Sequence, residues 1–428
     1  MLKYVIFLIR IIKIFNLEFP LIKSFSNKKN IRKLNDNFET LLYKLTSNLY
    51  NLNLSLGTPN QYFNLIFDTS SSNFWVYDFN CKTCNYNNSF KKNISSSFKN
   101  GTFKKELKYF SNEIKGIVNS ETLEFEKNKI LSFKFLLINN STIKNKIDGI
   151  IGFNKLIDKD HHYSCSFIDQ LIDKRKIKKR IFLIDIINTG KMYIGEIPNH
   201  LIKSERLVYG NNKLNNDWIV SFNKISFNNH SIYLNISQKQ NEQDFIINSL
   251  INGLFFPLKF IDSFKNHLFN NLCNVIVEKN ISHFQCDNKK IISNNTFLSN
   301  NITFYFLNNS INLSLNYLVN KEDNTLKLYF VNSTDNNFIL GIPFLESHAI
   351  LFDKDNKMVT LFKNKYKVEQ KQKNVYIRKL TETVTIAITM LIFIALICGS
   401  FCYLNKQRAT KRITKDMIET NVKYQPIT

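Results

Sequence analysis

Two segments of similar pattern, one in each half of the chain, restrict the fold more than any other feature of the sequence. In the first half, Asp68 and a threonine follow three apolar residues, and Ile150–Gly152 reads Ile-Ile-Gly. In the second half, Asn248 and a serine also follow three apolar residues, and Ile339–Gly341 reads Ile-Leu-Gly. A pattern that recurs in the same order in both halves indicates a duplicated lobe.

Most of the chain between residues 45 and 362 consists of short β-rich runs separated by turns rich in Asn, Ser and Lys. Residues 52–56 alternate between apolar and polar, and residues 63–67 are nearly all apolar, as in a strand that enters a core. Helical spacing occurs at residues 167–176 and 258–272. Many strands with few helices predict a mostly-β, orthogonally packed architecture.

The positive charge of the chain is spread along its whole length. The 428 residues carry a formal net charge of +24, and the basic residues are interleaved with Asn and Phe, as AT-rich codons would produce. This dispersed pattern, without a nucleic-acid motif, predicts no nucleic-acid partner. The densest basic run, residues 174–180, is interpreted as the solvated end of a helix; a docking site is the alternative.

An uncharged segment near the C-terminus predicts a membrane anchor. Residues 383–404 contain no charged side chain, and a helix of about 20 apolar residues crosses a hydrocarbon core of ~30 Å. Basic residues follow at once and favour a cytosolic tail, which carries a possible tyrosine-based sorting signal at Tyr424–Ile427. The segment before the span is basic too, so the charge rule alone leaves the orientation open.

The N-terminus indicates the orientation. Residues 1–17 combine Lys3 with an apolar stretch interrupted by Arg10 and Lys13, which resembles a signal peptide; a basic amphipathic helix is the alternative. A signal followed by a C-terminal span predicts a type I single-pass protein of the secretory pathway. Its membrane would be the plasma membrane or that of an organelle, with the body lumenal or extracellular.

Three collinear blocks of the chain strongly resemble the signature segments of pepsin-like aspartic proteases. Residues 54–76, LSLGTPNQYFNLIFDTSSSNFWV, are similar to the region of the first catalytic aspartate. Residues 148–152, DGIIG, match a second block, and residues 338–345, FILGIPFL, with Asp353 soon after, match the C-terminal signature. Within the family, residues 268–288 are similar to the plasmepsins, the apicomplexan branch.

The resemblance implies a mostly-β, bilobal pepsin-like fold, to which the sequence adds one C-terminal transmembrane helix. It implies a peptide or protein bound in the cleft, and no cofactor or metal. The predicted segments are a signal or signal-like segment at 1–17, a prosegment at 18–45, an N-terminal lobe at 46–200, a C-terminal lobe at 201–365, a stalk at 366–382, the transmembrane helix at 383–404 and the cytosolic tail at 405–428.

Catalysis in this family depends on two carboxylates that share one proton, because like charges at such short range cannot both ionise. The ionised one takes a proton from water while its partner polarises the scissile carbonyl. By resemblance, Asp68 is the first aspartate, Thr69 the buried hydroxyl that joins the two active-site loops, and Ser71 a hydroxyl that supports the carboxylate. Ser70 replaces a glycine, so its Cβ must fit a tight contact while its backbone N–H still points at Asp68.

The second half-site departs further from the family pattern. Asn248 falls on the second catalytic aspartate and Ser249 on its supporting hydroxyl. Leu250 replaces a glycine, and Ile251 replaces a hydroxyl residue that would bond the carboxylate. An amide can hydrogen-bond a neighbouring carboxylate and a water, but it cannot hold or exchange a proton near neutrality. Asp244 comes four residues too early to be a good substitute.

Residues 109–116 match the flap hairpin of the family. Tyr109 falls on the flap tyrosine, and Trp75 falls on the tryptophan to which that tyrosine hydrogen-bonds. Packing of both aromatics in a core is the alternative interpretation. Phe110 and Asn112 replace two flap glycines, which predicts a stiffer or reshaped tip.

Five of the seven cysteines fall in the predicted lumenal body, an oxidising compartment, so at least one is left unpaired or pairs between chains. Cys81 and Cys84 predict a local disulfide; half of a zinc site is the alternative, but no second pair of ligands accompanies them. The family's usual downstream partner of Cys286 is missing, so the resemblance implies a disulfide between Cys273 and Cys286. The partner of Cys165 stays open.

The sequence leaves more than one function open. Family resemblance implies an aspartic endopeptidase, weakened by Asn248 or dependent on its deamidation, since Asn-Ser pairs can convert to aspartate. The alternative is a non-catalytic pseudo-protease that keeps the cleft for binding a peptide or a protein. The changes at Leu250 and Ile251 favour this second interpretation, because they extend beyond the acid itself. A third interpretation is a surface or organelle glycoprotein that uses the fold as a scaffold.

Overall fold

The computed structural model of the chain describes most of the predicted body and part of the C-terminal region. The described residues are 17–23, 49–109, 112–125, 128–156, 163–210, 217–227, 230–232, 243–268, 273–278, 281–286, 300–306, 309–319, 325–331, 338–362, 390 and 397–414. The chain forms two compact units, Met1–Lys363 and Asn364–Thr428.

Strands dominate the first unit, as the alternating runs predict. In chain order they are β1 (Leu17–Pro20), β2 (Ile22–Lys23), β3 (Tyr50–Leu56), β4 (Gln61–Asp68), β5 (Phe74–Tyr77), β6 (Lys104–Tyr109), β7 (Asn112–Phe125), β8 (Asn128–Ser141), β9 (Gly149–Gly152), β10 (Ile181–Asp185), β11 (Lys191–Ile194), β12 (Arg206–Gly210), β13 (Ile219–Phe222), β14 (Lys224–Phe227), β15 (His230–Ile232), β16 (Gln243–Ile247), β17 (Leu254–Pro257), β18 (Cys273–Glu278), β19 (Ile281–Cys286), β20 (Asn301–Phe306), β21 (Asn309–Ser314), β22 (Thr325–Val331), β23 (Phe338–Leu340), β24 (Ala349–Asp353) and β25 (Met358–Phe362).

The described helices of the first unit are short and connect the strands. They are α1 (Phe167–Asp173), α2 (Asn199–Ile202), α3 (Ile261–Leu268) and α4 (Ile342–Ser347), with 3-10 turns at Lys92–Ile94, Leu258–Phe260 and Leu315–Tyr317. Helix α1 begins at the N-cap Ser166, whose hydroxyl accepts from Asp169 N, and ends at the C-cap Lys174. The basic run at 174–180 therefore starts at the C-cap and lies beyond the helix, which is shorter than the predicted 167–176.

The strands described above form four sheets. An eight-stranded sheet has the order β2-β3-β4-β9-β5-β8-β7-β6, and a seven-stranded sheet has the order β13-β16-β23-β17-β22-β19-β18. A six-stranded sheet, β1-β11-β10-β24-β25-β12, combines strands from both halves of the chain, and β15-β14-β20-β21 form a four-stranded sheet. The mostly-β prediction is confirmed.

The repeated sequence pattern corresponds to a repeated arrangement of strands. In the first half, β4 pairs in parallel with β9, and β9 pairs antiparallel with β5. In the second half, β16 pairs in parallel with β23, and β23 pairs antiparallel with β17. Each half therefore brings its Ile-hydrophobic-Gly strand between the strand that precedes the polar pair and the strand that follows it.

The glycine that ends each of these motifs is required by close backbone contact. A Cβ on Gly152 would lie 2.5 Å from Ser71 O, and a Cβ on Gly341 would lie 2.1 Å from Ile251 O. Real Cβ atoms essentially never come so close to a backbone atom. The two active-site loops are therefore packed directly against these glycines.

Aromatic side chains from both halves fill a common core. Phe182 on β10 stacks on Phe352 on β24, with ring centroids 4.6 Å apart. Trp218 packs its edge against Phe352 at 5.2 Å, and all three side chains are fully buried. Burial of such large rings stabilises the fold by roughly 1.5–3 kcal/mol each, which ties the two halves together.

The N-terminal segment contributes the two first strands. β1 pairs with β11 in the six-stranded sheet, and β2 pairs with β3 in the eight-stranded sheet. Between them, Leu21 N donates to Gly190 O at 2.9 Å. The first residues of the predicted prosegment are thus hydrogen-bonded to two sheets of the body.

Among the residues that the structure describes, no helix is both long and apolar enough to cross a membrane. Residues 397–414 are helical, and they include the last part of the predicted span and the basic residues that follow it. The rest of that span, apart from residue 390, lies outside the described residues. So do residues 1–16 of the predicted signal, the stalk at 366–382, and Tyr424.

Two disulfides are present, and both pairs are those predicted. Cys81 is bonded to Cys84, so the local disulfide is found and not half of a zinc site. Cys273 is bonded to Cys286 across the β18–β19 pair, where the two residues are directly opposite. Cys165 is fully buried, and its Sγ lies 3.8 Å from Tyr163 O.

Candidate active site

The loops that follow β4 and β16 are joined by two hydroxyl side chains. Thr69 N donates to Ser249 Oγ at 2.9 Å, and Ser249 N donates to Thr69 Oγ1 at 3.0 Å. Each hydroxyl also donates across to the other loop, Thr69 Oγ1 to Ile247 O at 3.1 Å and Ser249 Oγ to Phe67 O at 2.9 Å. Because both residues are buried, these bonds hold the two loops, and hence Asp68 and Asn248, close together.

Asp68 is fully buried, and its two oxygens differ sharply in their surroundings. Oδ1 accepts from Ser70 N at 2.7 Å and from Ser70 Oγ at 2.6 Å. Oδ2 is buried and has no hydrogen-bond partner among the described residues. Burial raises the pKa of Asp68, and hydrogen bonds from the hydroxyls and backbone N–H groups of Ser70 and Ser71 partly offset that rise.

The hydroxyl of Ser70 is a feature that the sequence reasoning missed. From the sequence, Ser70 was expected to fit its Cβ where the family has glycine and to keep its backbone N–H directed at Asp68. The N–H is so directed, and the side chain adds a second bond to the same oxygen. The signal available was the local tendency of an aspartate and a serine two residues later to hydrogen-bond each other.

Asn248 is held at the equivalent position of the second half. Its backbone N donates to Leu340 O at 3.0 Å, and its side-chain Oδ1 accepts from Leu250 N at 2.9 Å. Since a backbone N–H can be satisfied only by the oxygen of the amide, Nδ2 is left as the donor group of this side chain. The second half-site therefore offers hydrogen-bond donation without an exchangeable carboxyl proton.

The residues that follow Asn248 supply apolar surface. Leu250 and Ile251 are buried, and Leu250 belongs to the same apolar cluster as Trp75, Tyr109 and Ile342. Hydroxyl support of the kind that Ser70 and Ser71 give to Asp68 cannot come from these two side chains.

Asp244 does not compensate for the missing acid. Ser221 Oγ donates to Asp244 Oδ1 at 2.8 Å, on the pair of strands β13 and β16. Asp244 lies four residues before Asn248, which at the rise of a strand corresponds to about 13 Å. The expectation that Asp244 is a poor substitute agrees with this position.

Tyr109 connects the predicted flap to the first half-site. Its hydroxyl accepts from Trp75 Nε1 at 3.0 Å and donates to Ser71 Oγ at 3.0 Å. The two rings also contact each other at 5.9 Å in an edge-to-face arrangement. Burial, and next the charge of Asp68, raise the pKa of Tyr109 well above its usual range. The tyrosine therefore stays protonated and able to donate.

Taken together, the fold and this pair of loops define the class of aspartic proteases. The chain belongs to that family: a family model described as eukaryotic aspartyl protease matches residues 49–363. A solved structure, the aspartic proteinase from Irpex lacteus, is similar with a TM-score of 0.60, covering 82% of this chain and 98% of that chain at 15% identity. That likeness supports the fold alone.

Among curated relatives, the plasmepsins match most of the chain. Plasmepsin I of Plasmodium falciparum is 24% identical over 327 residues, which cover 71% of this chain and 66% of plasmepsin I. Plasmepsin IV of the same species is 25% identical over 330 residues, covering 71% and 67%. Vacuolar protease A of Aspergillus fumigatus is 33% identical over 105 residues, which cover 23% of this chain and 26% of that protein. The predicted resemblance to pepsin-like proteases and plasmepsins is confirmed.

Proposed function

We propose that this chain is a membrane-anchored, pepsin-like protein that binds a peptide segment in its cleft and hydrolyses it poorly or not at all. The observation that carries the proposal is the amide of Asn248 where the family has its second carboxylate. Its Oδ1 accepts from Leu250 N, so the amide orientation is set and Nδ2 is the donor that the side chain offers to a ligand. Loss of a general acid/base group costs roughly 10²–10⁴-fold in rate.

The charge of the pair supports binding without turnover. An ionised Asp68 beside a neutral amide carries the same net charge as two carboxyls that share one proton. The amide donates a hydrogen bond where the protonated acid of the family would donate one. A peptide carbonyl or hydroxyl can therefore be bound, while the proton transfers of hydrolysis are not available.

Weak endopeptidase activity is the second candidate. The observation that favours it is the first half-site, in which Asp68 Oδ1 accepts two bonds from Ser70 and Tyr109 is hydrogen-bonded to Trp75. Deamidation of Asn248 would restore the second acid, but Ser249 N would have to attack the amide carbon. That nitrogen is buried and donates to Thr69 Oγ1, which opposes the reaction.

Hydrolysis and binding should be measured together on the full chain in detergent. A mixed peptide library between about pH 4 and pH 7 tests turnover, and a peptide with a hydroxyl at the scissile position tests binding. We expect binding that Asp68→Ala weakens, with no turnover in the wild type. Wild-type turnover that Asp68→Ala abolishes would instead identify an active endopeptidase. Mass spectrometry of the residue at position 248 then shows whether asparagine or aspartate is responsible.

Membrane attachment and a secretory location form the other part of the proposal. The uncharged residues 383–404 and the basic residues after them support a single span with a cytosolic tail. The full chain should stay in the membrane pellet after alkaline carbonate extraction, whereas a chain ending before residue 383 should be released. The sequons at Asn93 and Asn100, both exposed, should carry glycans if the body is lumenal. Unglycosylated sequons in a membrane-bound chain would argue against this orientation.

A further inference from the structure

The two faces of strand β4 meet different parts of the molecule. Phe67 packs against Phe153 and Phe182 in the common core, with ring centroids 5.0 Å and 6.3 Å apart. Successive side chains of a strand point to opposite faces, so Asp68 shares the other face with Ile66. Buried apolar side chains cover that face, and we call them the site cluster, which includes Ile66, Trp75, Tyr109, Ile150, Leu250 and Ile342.

The register of the neighbouring strands keeps the site cluster on the side of Asp68. Ile150 on β9 lies opposite Ile66, and Gly152 on the same strand lies opposite Asp68. Trp75 on β5 in turn lies opposite Ile150. The site cluster therefore borders the first half-site, and Asp68 lies at its edge.

Leu250 reaches this cluster from the second half of the chain. Of the described buried residues in the site cluster, all but Leu250 and Ile342 lie between residues 49 and 165. Leu250 directly follows Ser249, whose N and Oγ are bonded to Thr69. The Leu250 side chain is only 5% exposed. It therefore extends from the second loop to the face of the sheet that carries Asp68.

Backbone bonds hold the second loop in this place. Leu250 N donates to Asn248 Oδ1 at 2.9 Å, and Ile342 N donates to Ile251 O at 2.7 Å. Asp68 is fully buried, so the apolar space beside it is already filled by the chain's own side chains. At the packing density of a protein interior, a second large side chain does not fit there.

We propose that Leu250 is a specificity-determining residue that fills the apolar space beside Asp68 and Asn248 and selects peptides with a small residue there. This inference rests on the proposed binding of a peptide in the cleft. A peptide with alanine next to the group that the pair binds leaves Leu250 in place. A peptide with leucine at that position has to displace the Leu250 side chain or overpack the site, and both lower the affinity.

Paired peptides of different bulk test this in the wild type. Both contain a hydroxyl at the scissile position, and one carries alanine where the other carries leucine, with that residue moved through the positions flanking the hydroxyl. Titration calorimetry with the full chain in detergent should show about tenfold tighter binding of the alanine peptide at one position. At the other positions leucine should bind as well as alanine or better, because burial of apolar surface favours binding.

Shortening the side chain at position 250 should reverse the preference. Leu250→Ala leaves an apolar space that the leucine of the peptide can fill. At the same position, the leucine peptide should then bind about tenfold more tightly than the alanine peptide. Equal weakening of both peptides, with their order unchanged, would show a purely structural role of Leu250 and overturn the proposal.

Leu156 provides a matched control. Its N donates to Asn154 Oδ1 at 3.0 Å, as Leu250 N donates to Asn248 Oδ1, but the Leu156 side chain is 43% exposed. Leu156→Ala therefore makes the same chemical change in the same kind of turn. It should keep the wild-type preference for the alanine peptide.

The outcomes separate this inference from the function on which it rests. A wild type that binds the leucine peptide at least as tightly at every position would overturn the role of Leu250 and leave peptide binding intact. Binding by Leu250→Ala of peptides that the wild type does not bind would support the role of Leu250 and overturn peptide binding by the native protein. If neither protein binds any hydroxyl peptide, the proposed function and this inference both fail. The wild-type comparison needs no variant, so a poorly folding Leu250→Ala protein would not prevent a decision.

Discussion

Asp68 ends β4 and Asn248 directly follows the equivalent strand β16, yet the loops that follow give the two side chains different hydrogen bonds. Asp68 receives two hydrogen bonds from Ser70, one from its N–H and one from its hydroxyl, whereas Asn248 Oδ1 receives one from Leu250 N. The hydroxyls that join the loops are kept in both halves. The backbone arrangement of an aspartic protease therefore does not depend on the second acid. Variants can test the stability of the two loops separately from their proton-transfer chemistry.

Restoring the acid should have the largest effect. Asn248→Asp supplies the missing carboxyl, and Ile251→Thr adds a hydroxyl near it, as the Ser70 hydroxyl bonds Asp68. We expect the pair of substitutions to raise kcat/KM for peptide hydrolysis by roughly 10²–10⁴-fold at acidic pH. The same substitutions in an Asp68→Ala background should stay inactive. No gain in either protein would mean that the second loop is unsuited to catalysis for other reasons.

The equivalent glycines should be equally sensitive. Gly152→Ala and Gly341→Ala each force a Cβ against backbone atoms of an active-site loop, so each should lower the free energy of unfolding by about 3 kcal/mol. Urea unfolding followed by tryptophan fluorescence measures the loss. Gly399→Ala, with no atom within 4 Å of the new Cβ, is the control. A large effect in one half and none in the other would break the equivalence.

The joining hydroxyls should act as a unit. Ser249→Ala removes an acceptor for Thr69 N and a donor to Phe67 O, which leaves buried backbone groups unsatisfied and should cost about 2 kcal/mol. Thr69→Val should cost a similar amount. Because the two residues bond each other, the double variant should lose less than the sum in a double-mutant cycle. If the losses of unfolding free energy were simply additive, the two hydroxyls would contribute independently and their mutual bonds would not couple the loops.

The stability contribution of the buried Asp68 carboxyl should fall as pH rises, which is opposite to the pH dependence of most ion-paired acids. Burial raises the pKa of Asp68, so the native state holds its proton more tightly than the unfolded chain does. Its contribution is present below the unfolded pKa and is lost as pH rises through the folded value. Asp68→Asn should thus be more stable than the wild type near neutral pH, by about 1 kcal/mol after the offsetting hydrogen bonds.

The comparison that checks this effect is the pH dependence of thermal unfolding. The difference in Tm between Asp68→Asn and the wild type should vanish at a pH where the carboxyl is protonated in both states. A wild type that remains less stable even there would point to packing, and not ionisation, as the cause. Asn248→Ala in the second half is the matched variant, and its effect should not depend on pH.

Sequence motifs made it possible to predict that Asp68 and Asn248 occupy the two catalytic positions, because both follow apolar runs within blocks typical of the family. The same blocks predicted that Thr69 joins the two loops, whereas the reciprocal bonds with Ser249 are seen only in the structure. Local patterns set the start of α1 as well, since a serine cap precedes an apolar run. The second predicted helix, 258–272, begins with a 3-10 turn at Leu258–Phe260 before α3, a distinction that apolar spacing does not contain.

Other features depend on contacts between distant parts of the chain. Lys155 and Asp217 belong to separate segments, which are joined by a bond from Trp218 Nε1 to Phe153 O. Sequence spacing gives no signal for such a pair, and an aspartate before a strand is ordinarily solvated. Membrane attachment and the residues that border each lobe stay predictions, since they rest on hydropathy and resemblance.

The two N-terminal strands bear on what proteolytic processing would achieve. β1 is hydrogen-bonded to β11 and β2 to β3, so residues 17–23 are attached to two different sheets of the body. A cut near residue 45 would break one peptide bond and leave these ladders intact. The severed piece would remain with the body in its native state and separate from it only on a denaturing gel. If the chain is cut there, cleavage and release of the N-terminal piece are separate events, and a shift in mobility on a denaturing gel reports only the cleavage.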